Sequence, residues 1–282
     1  MTATARASGA STHPGSTSPF LAGRDAVRER QVELDQVRSG EVGSVHSWEL
    51  VTAVDGPGTR LTLFLAGCGL RCLYCHNPDT WMKRNGTLMS IDEVMARVLR
   101  YKAVFAATGG GVTLSGGEPM MQAAFVRRIY RACQENGIHT ALDTCGFLGA
   151  RATDDILDDL DLCLLDVKSG IPETYLAVTS RELEPTLVFG RRLAARGTTT
   201  WVRFVLVPGL TDAVDNVAAV ADYTASIAEV VERVEVLPFH QMGREKWHEL
   251  GLPYQLEETR PPSEELLERV RGQFRERGLT VY

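Results

Sequence analysis

From Gly43 to the carboxyl terminus, short β-rich apolar runs alternate with longer segments of helical spacing, an order that calls for parallel strands joined by crossover helices. Six runs carry it: Leu61 to Leu65, Gly111 to Leu114, Thr140 to Leu142, Leu162 to Leu165, Trp201 to Val207 and Val234 to Leu237, with an additional short strand near Val45. Ser90 and Glu93 have capping-box spacing, and Ile91, Val94, Met95, Val98 and Leu99 follow on one helical face. Helices are predicted over Met121 to Asn136, Leu187 to Arg196, Val214 to Ile227 and Ser263 to Arg277. The last follows Pro261-Pro262 and starts with acids, as a helix dipole favours. At 282 residues the chain is long enough for one (β/α) barrel. Polar residues gather just after the carboxyl ends of the runs. These are Cys68, Cys72 and Cys75 after the first, Ser115 to Glu118 after the second, Asp143 and Thr144, then Asp166 and Lys168, and finally His240. In a parallel barrel those ends share one rim, where active sites form.

Composition narrows the function. Hydrophobic residues are 44% and charged residues 23%, ordinary for a globular chain. No apolar run is long enough for a membrane span, and no basic-then-apolar leader opens the chain. Acids outnumber bases 36 to 30, a net charge of −6 that gives nucleic-acid phosphates no general reason to bind. Residues 1 to about 23 are mostly Ala, Ser, Thr, Gly and Pro and are expected to be disordered, and 24 to 42 to be loosely helical. The expected division is therefore a tail, 1–42, and one domain, 43–282. Arg6 and Arg24 without intervening acids suggest a transit peptide, but the amphipathic pattern is missing. The location expected is the cytoplasm.

Three of six cysteines crowd into C-x3-C-x2-C at 68, 72 and 75, flanked by Gly67 and Gly69. Three thiolates on a tight loop suit a metal. An iron–sulfur cluster usually takes four cysteines, so three leave one iron open to a substrate or cofactor. Other readings exist. Cys72 to His76 matches the C-x-x-C-H haem attachment pattern but leaves Cys68 unexplained. A structural zinc wants four closed ligands, and adjacent Cys75 and His76 would share one tetrahedral ion with difficulty. Inert buried cysteines would not account for three in eight residues. Cys133, Cys145 and Cys163 lack cluster spacing and read as structural, and the acidic run Asp154, Asp155, Asp158, Asp159 and Asp161 reads as a solvated face.

The cysteine spacing resembles that of the radical S-adenosylmethionine (SAM) enzymes. The string Gly67-Cys-Gly-Leu-Arg-Cys-Leu-Tyr-Cys-His-Asn-Pro-Asp-Thr-Trp81 is similar to the pyruvate formate-lyase activating enzymes among them. The likeness extends through Val54 to Gly58, Ser115 to Glu118, Leu142 to Thr144, Leu165 to Lys168, Trp201 to Arg203, Val207 to Gly209 and Leu237 to His240, and so covers about 43 to 282. It implies a partial (β/α)6 TIM-like barrel of parallel strands with the active site at the carboxyl-terminal rim. It implies a [4Fe-4S] cluster on Cys68, Cys72 and Cys75, with SAM on the remaining iron. One electron cleaves SAM, and the resulting 5′-deoxyadenosyl radical takes a hydrogen atom from a glycine of pyruvate formate-lyase. By the same resemblance Tyr74, Cys75, His76, Gly116, Gly117, Asp166, Val167, Lys168 and His240 contact SAM. Gly116 and Gly117 would leave room for its amino group. Asp143, Thr144, Asp166 and the backbone near Leu164 would hold a monovalent cation, Na+ or K+, and Asp55, His76 and Arg203 would contact the glycyl loop. A flavodoxin or ferredoxin-type reductant and a monomeric state are implied as well. Activases of other glycyl radical enzymes often carry a cysteine-rich ferredoxin-like insert, which is absent between Cys75 and Cys133. A tRNA-modifying radical enzyme is disfavoured by the acidic balance, and a plain iron–sulfur electron carrier would not need the rim of polar residues.

Overall fold

The computed structural model describes residues 30–282 except Ala53. All six predicted runs are parallel strands, because each is apolar enough to be covered on both faces. The strands are β1 (Val42–Thr52), β2 (Thr59–Leu65), β3 (Thr87–Ser90), β4 (Gly111–Gly116), β5 (His139–Thr144), β6 (Leu162–Asp166), β7 (Thr200–Leu206) and β8 (Val231–Pro238). They form one sheet in the order β3-β1-β2-β4-β5-β6-β7-β8. From β2 to β8 every pairing is parallel, whereas β1 is antiparallel to both β2 and β3. The sheet is open, with β3 and β8 at its edges. Beside β8, the chain end supplies a short parallel bridge, Val281 to Val234, which covers that edge.

Nine labelled helices accompany the strands: α1 (Ile91–Leu99), α2 (Lys102–Thr108), α3 (Ala123–Glu135), α4 (Asp154–Asp158), α5 (Pro172–Thr179), α6 (Glu184–Arg196), α7 (Val214–Ala225), α8 (Arg244–Glu249) and α9 (Glu264–Arg275). The capping box is present: Glu93 N donates to Ser90 Oγ at 3.3 Å, and Ser90 N donates to the Glu93 carboxylate at 2.8 Å. The helix predicted from Met121 begins with a 3-10 turn at Pro119–Gln122 instead, because Pro119 cannot donate within an α-helix and suits a first turn. Four helices, α2, α4, α5 and α8, and the strand β3 were not predicted.

β1 is long rather than short because it serves two neighbours. Val42 to Val45 pair with β3, and Val45 to Thr52 pair with β2. The disordered stretch expected over 1–23 lies outside the described residues. Of the loose helix expected over 24–42, residues 30–39 are helical and Val42 already belongs to β1.

The main core lies between the sheet and its outer helices, with Val126, Ile129, Leu193, Val220 and Phe274 facing Leu63, Leu114, Leu165 and Val202. A smaller core of Ala141, Leu162, Leu164 and Trp201 fills the barrel interior. Also inside, Arg60 is fully buried. It donates from Nε to Thr113 Oγ1 (3.0 Å) and from Nη2 to the Val112 carbonyl, and its Nη1 lies 3.0 Å from His139 Nδ1. Burial lowers the Arg60 guanidinium to about 10. The apolar floor leaves the carboxyl-terminal end free to be a polar cavity.

Candidate active site

The loop after β2 is held by its main chain before any ligand is considered. Gly67 N donates to Thr80 O (2.6 Å), Cys68 N to Trp81 O (3.0 Å), Arg71 N to Thr179 O (2.8 Å) and Leu73 N to Val178 O (3.0 Å). The Arg71 guanidinium donates to the carbonyls of Cys68 and Leu70 and lies 4.6 Å over the Trp81 ring. On the other side, the Trp247 indole of α8 donates to Cys75 O at 2.9 Å, and Lys246 Nζ reaches Asn77 Oδ1 at 2.9 Å. All six cysteines are free thiols, and Cys68, Cys72 and Cys75 all face one cavity of about 540 Å³. Burial pushes the Cys68 thiol up to about 12 and raises Cys72 and Cys75 too, with the Lys168 ammonium opposing it.

The rest of the wall comes from the strand ends. Ser115 and Gly116 end β4 and Gly117 follows it, Asp143 and Thr144 end β5 with Cys145 just beyond, Asp166 ends β6 with Lys168 just beyond, and Arg203, Val205, Leu237 and His240 complete it. Lys168 Nζ donates to Asp166 Oδ2 at 2.6 Å and sits 5.7 Å from the Tyr74 ring centre. Burial works to lower the Lys168 ammonium, but Asp166 and the Tyr74 hydroxyl outweigh it and hold it well above its usual range. Asp166 Oδ1 and the Tyr74 hydroxyl are buried with no hydrogen-bond partner among the described residues. Both line the cavity, and a polar ligand there would satisfy them.

The two glycines have a more specific reason than open space. A Cβ on Gly117 would lie 2.3 Å from Gly67 O, and one on Gly116, where φ is +105°, would lie 2.5 Å from Leu65 N. They let the β4 loop close on the cysteine loop, and Glu118 N then donates to Gly67 O at 2.8 Å. The Glu118 carboxylate, 1% exposed, accepts from Thr144 Oγ1 (2.8 Å), Cys145 N (3.1 Å), the Cys145 thiol (3.0 Å) and Met120 N (3.1 Å). Burial raises its pKa, against those bonds. Glu118 thus joins three rim loops.

Asp55 and Arg203 reach the cavity from below. Arg203 donates from Nε to Glu235 Oε2 (3.0 Å) and from Nη2 to Val54 O (2.7 Å), and lies 3.5 Å from Asp143 and 3.6 Å from Asp55. Burial works against its charge, but Asp143 and Glu235 raise the guanidinium overall. Asp143 accepts from Ser115 Oγ at 2.6 Å, and burial pushes its carboxyl up to about 6 against the pull of Arg203. His76 and His240 stack with ring centres 4.1 Å apart. Burial and then His240 lower the His76 imidazole to about 4, so it is neutral at pH 7.

The Leu164 side chain packs on the interior floor, which leaves the main chain as the part able to meet a cation, as expected of it, and the Val167 side chain packs in the outer core. Thr144 turns its hydroxyl to Glu118. Cys133 and Cys163 are core residues, and Cys145, next to Thr144, lines the cavity. The acidic run is not simply solvated. Asp154 and Asp158 pair with Arg192 and Arg196, Asp155 with Arg127, and Asp159 with Arg131. Asp161 accepts from Thr140 N at 2.8 Å. Trp247, Lys246 and the Glu118 side chain were not foreseen, because their partners lie far away in sequence.

Among the described residues no three His, Cys, Asp or Glu side chains gather round one point as a single metal ion would require. Cys68, Cys72 and Cys75 are free thiols lining one cavity, the donor set that an iron–sulfur cluster would take. The sequence profile of the Radical SAM superfamily matches residues 62–221. The "Pyruvate formate-lyase 1-activating enzyme" of Escherichia coli K12 is 41% identical over 244 residues, 85% of this chain and 98% of that protein. The chain is a radical SAM protein of the pyruvate formate-lyase activating family. Another relative, the "Pyruvate formate-lyase-activating enzyme" of Staphylococcus epidermidis, is 41% identical over 79% of this chain and 91% of its own. Among solved structures, a domain of a pyruvate-formate lyase-activating enzyme from Bacteroides vulgatus aligns with TM-score 0.52 at 26% identity, over 62% of this chain and 98% of that one. Streptococcus suis SuiB bound to precursor peptide SuiA aligns with TM-score 0.58 at 14% identity, over 98% of this chain and 56% of that one. SuiB shows the fold alone. Radical SAM membership implies a [4Fe-4S] cluster and SAM, and the open, mostly parallel sheet is the family's partial barrel.

Proposed function

We propose that this radical SAM activase generates the glycyl radical of pyruvate formate-lyase, with Cys68, Cys72 and Cys75 holding the cluster and the opposite wall holding SAM. One observation carries the assignment of the site: three free thiols and the unpartnered Tyr74 hydroxyl and Asp166 oxygen line the same cavity. When bound, the cluster supplies one electron to the SAM sulfonium, releasing methionine and a 5′-deoxyadenosyl radical that takes a hydrogen atom from the partner's glycine.

The chain's own residues do the positioning. Cys68, Cys72 and Cys75 leave one iron site without a protein ligand. Gly116 and Gly117 bring main chain against the cysteine loop and line the SAM side. Lys168 donates to Asp166 Oδ2 and orients it, Tyr74 presents its hydroxyl, and neutral His76 with His240 closes one side by ring stacking. Asp143 and Asp166, with the main chain near Thr144 and Leu164, would hold a monovalent cation, since hard oxygen donors suit one. Asp55 and Arg203, which line the cavity beneath Val54, would orient the glycyl loop. A flavodoxin or ferredoxin-type protein supplies the electron to a monomeric activase in the cytoplasm. No described helix is long and apolar enough to cross a membrane.

The test is direct. Anaerobically reconstituted protein is mixed with SAM and dithionite, then with pyruvate formate-lyase. Release of 5′-deoxyadenosine and a glycyl radical signal in electron paramagnetic resonance are expected. Deoxyadenosine without a radical on that partner would move the assignment to another glycyl radical enzyme.

A further inference from the structure

Although the chain carries a net charge of −6, five cations crowd the outside of the cysteine loop. Arg71 and Lys83 touch that loop, Arg151 shares an acceptor with Lys83, Arg84 follows Lys83 in sequence, and Arg181 lies two residues beyond Thr179, to which the loop bonds. The main chains of Arg71 and Arg181 are both tied to Thr179, Arg71 N donating to its carbonyl (2.8 Å) and Arg181 N to its hydroxyl (3.1 Å). Arg71 then covers Trp81 and binds the Cys68 carbonyl. The Lys83 stem packs on Gly67, where an added Cβ would lie 2.8 Å from Lys83 Cγ. Lys83 Nζ and Arg151 Nη1 both point at Met121 O, at 2.9 and 3.5 Å, and burial with the nearby Arg151 charge lowers the Lys83 ammonium. Arg84 follows Lys83, and Arg181 lies 5.9 Å over Phe147, two residues from Cys145. Lys83, Arg84, Arg151 and Arg181 are exposed, and none of the five forms an ion pair among the described residues. Elsewhere arginines are commonly matched, as Arg192 and Arg196 are by Asp154. Two cations sharing one carbonyl oxygen, with no acid between them, repel each other unless an anion arrives.

We propose that this crescent is the docking surface for an acidic one-electron donor protein, which it holds against the outer side of the cluster loop. The inference rests on the function proposed above, since that reaction consumes one electron per SAM cleaved. The crescent sits on the loops after β2 and β5 and just beyond α5, whereas Val54, Asp55, Arg203 and His240, which line the cavity, come from other segments of the chain. The donor would therefore dock on segments other than those proposed to meet the glycyl partner. Charge complementarity of this kind governs encounter more than final affinity, raising on-rates by roughly 10 to 1,000-fold at low salt.

The test uses the cluster-loaded protein and the variant Arg84→Glu/Arg151→Glu/Arg181→Glu, with an acidic flavodoxin as the probe. Stopped-flow reduction of the cluster by reduced flavodoxin is followed at low and high salt, and binding of oxidised flavodoxin is measured by titration. The expected result is a loss of tenfold or more in flavodoxin-driven reduction and in binding at low salt, with the salt dependence largely gone. SAM cleavage driven by dithionite should stay unchanged. Equal loss with dithionite would overturn the proposal, since the residues would then be supporting the cluster itself. Unchanged flavodoxin binding would overturn it also, as would a fluorescent DNA duplex that binds the wild type more tightly than flavodoxin does. If the wild type cleaves no SAM with dithionite, the proposed function fails, while the titration still decides the docking surface by itself.

Discussion

Replacing Gly117 by alanine distinguishes two reasons for the glycine pair. The added Cβ would stand 2.3 Å from Gly67 O, 2.7 Å from Gly67 C and 3.3 Å from Cys68 Cβ. The first distance is roughly 1 Å short of ordinary contact. Both obstacles at Gly67 are backbone, so no side chain can rotate away. Either the β4 loop or the cysteine loop must retreat, and overpacking of this kind costs about 1–3 kcal/mol. Glu118 N donates to the same Gly67 carbonyl, so retreat also breaks that bond. Were the glycine needed only to admit the SAM amino group, Gly117→Ala would keep a full cluster and lose SAM affinity. The structure predicts that iron and sulfide per chain fall as well, and that turnover drops about a hundredfold from misplacement near 1 Å. Iron and sulfide analysis after anaerobic reconstitution, run beside a SAM titration and a thermal melt, separates the two. A variant with full iron, an unchanged melt and only weakened SAM binding would refute the packing argument.

Cys72→Ala should abolish cluster incorporation, while Cys133→Ala, a core change, should keep it at a stability cost of about 1 kcal/mol; iron analysis and urea denaturation read the two outcomes. Trp247→Phe removes the indole bond to Cys75 O and should cost about 1 kcal/mol, with iron lost to a chelator several-fold faster than from the wild type. Asp143 binds a proton more tightly in the folded state, its carboxyl standing at about 6 against an ordinary 3.8. Its contribution to stability is therefore fully present below 3.8 and lost as pH rises through about 6. In cofactor-free protein, urea denaturation between pH 4 and 7 should show Asp143→Asn losing less stability with rising pH than the wild type, and parallel curves would refute that. Ser90→Ala should destabilise by about 1 kcal/mol through loss of the capping box, measured by the same denaturation.

The parallel strands could be read from sequence because each is a nearly unbroken apolar run, β4 being buried at all but its last residue. β3 could not, since Thr-Leu-Met-Ser is short, half-exposed and held only by β1. α5 was hidden by weak apolar periodicity, and α8 by brevity and charge. At the site, barrel geometry made the rim legible: any polar residue just beyond a strand end had to face the same cavity. Direction within the rim was not legible. Thr144 and Cys145 turn toward Glu118, a partner more than 25 residues away that no spacing announces. Arg203 likewise meets Val54 across 149 residues, and only the assembled barrel shows that its guanidinium is already engaged from below.

That engagement explains how a partial barrel can bury so much charge next to its active cavity. Above the apolar floor, Arg203 meets Asp55, Asp143 and Glu235, Arg233 meets Glu235, and Lys168 meets Asp166. Three cations thus face four carboxylates, which leaves one negative charge in a region largely screened from water. A buried charge of that kind is costly unless it is neutralised or paired. Asp143 can relieve the excess by holding a proton, as its raised pKa indicates. A positively charged guest can relieve it instead, and SAM, with a sulfonium and an ammonium against one carboxylate, brings a net positive charge. The excess charge therefore favours a cationic ligand in a chain whose outer rim, around Lys83 and Arg151, favours an anionic partner. The two signs are carried by different residues: the acids line the cavity, whereas Lys83, Arg84, Arg151 and Arg181 are exposed and are not among its lining residues.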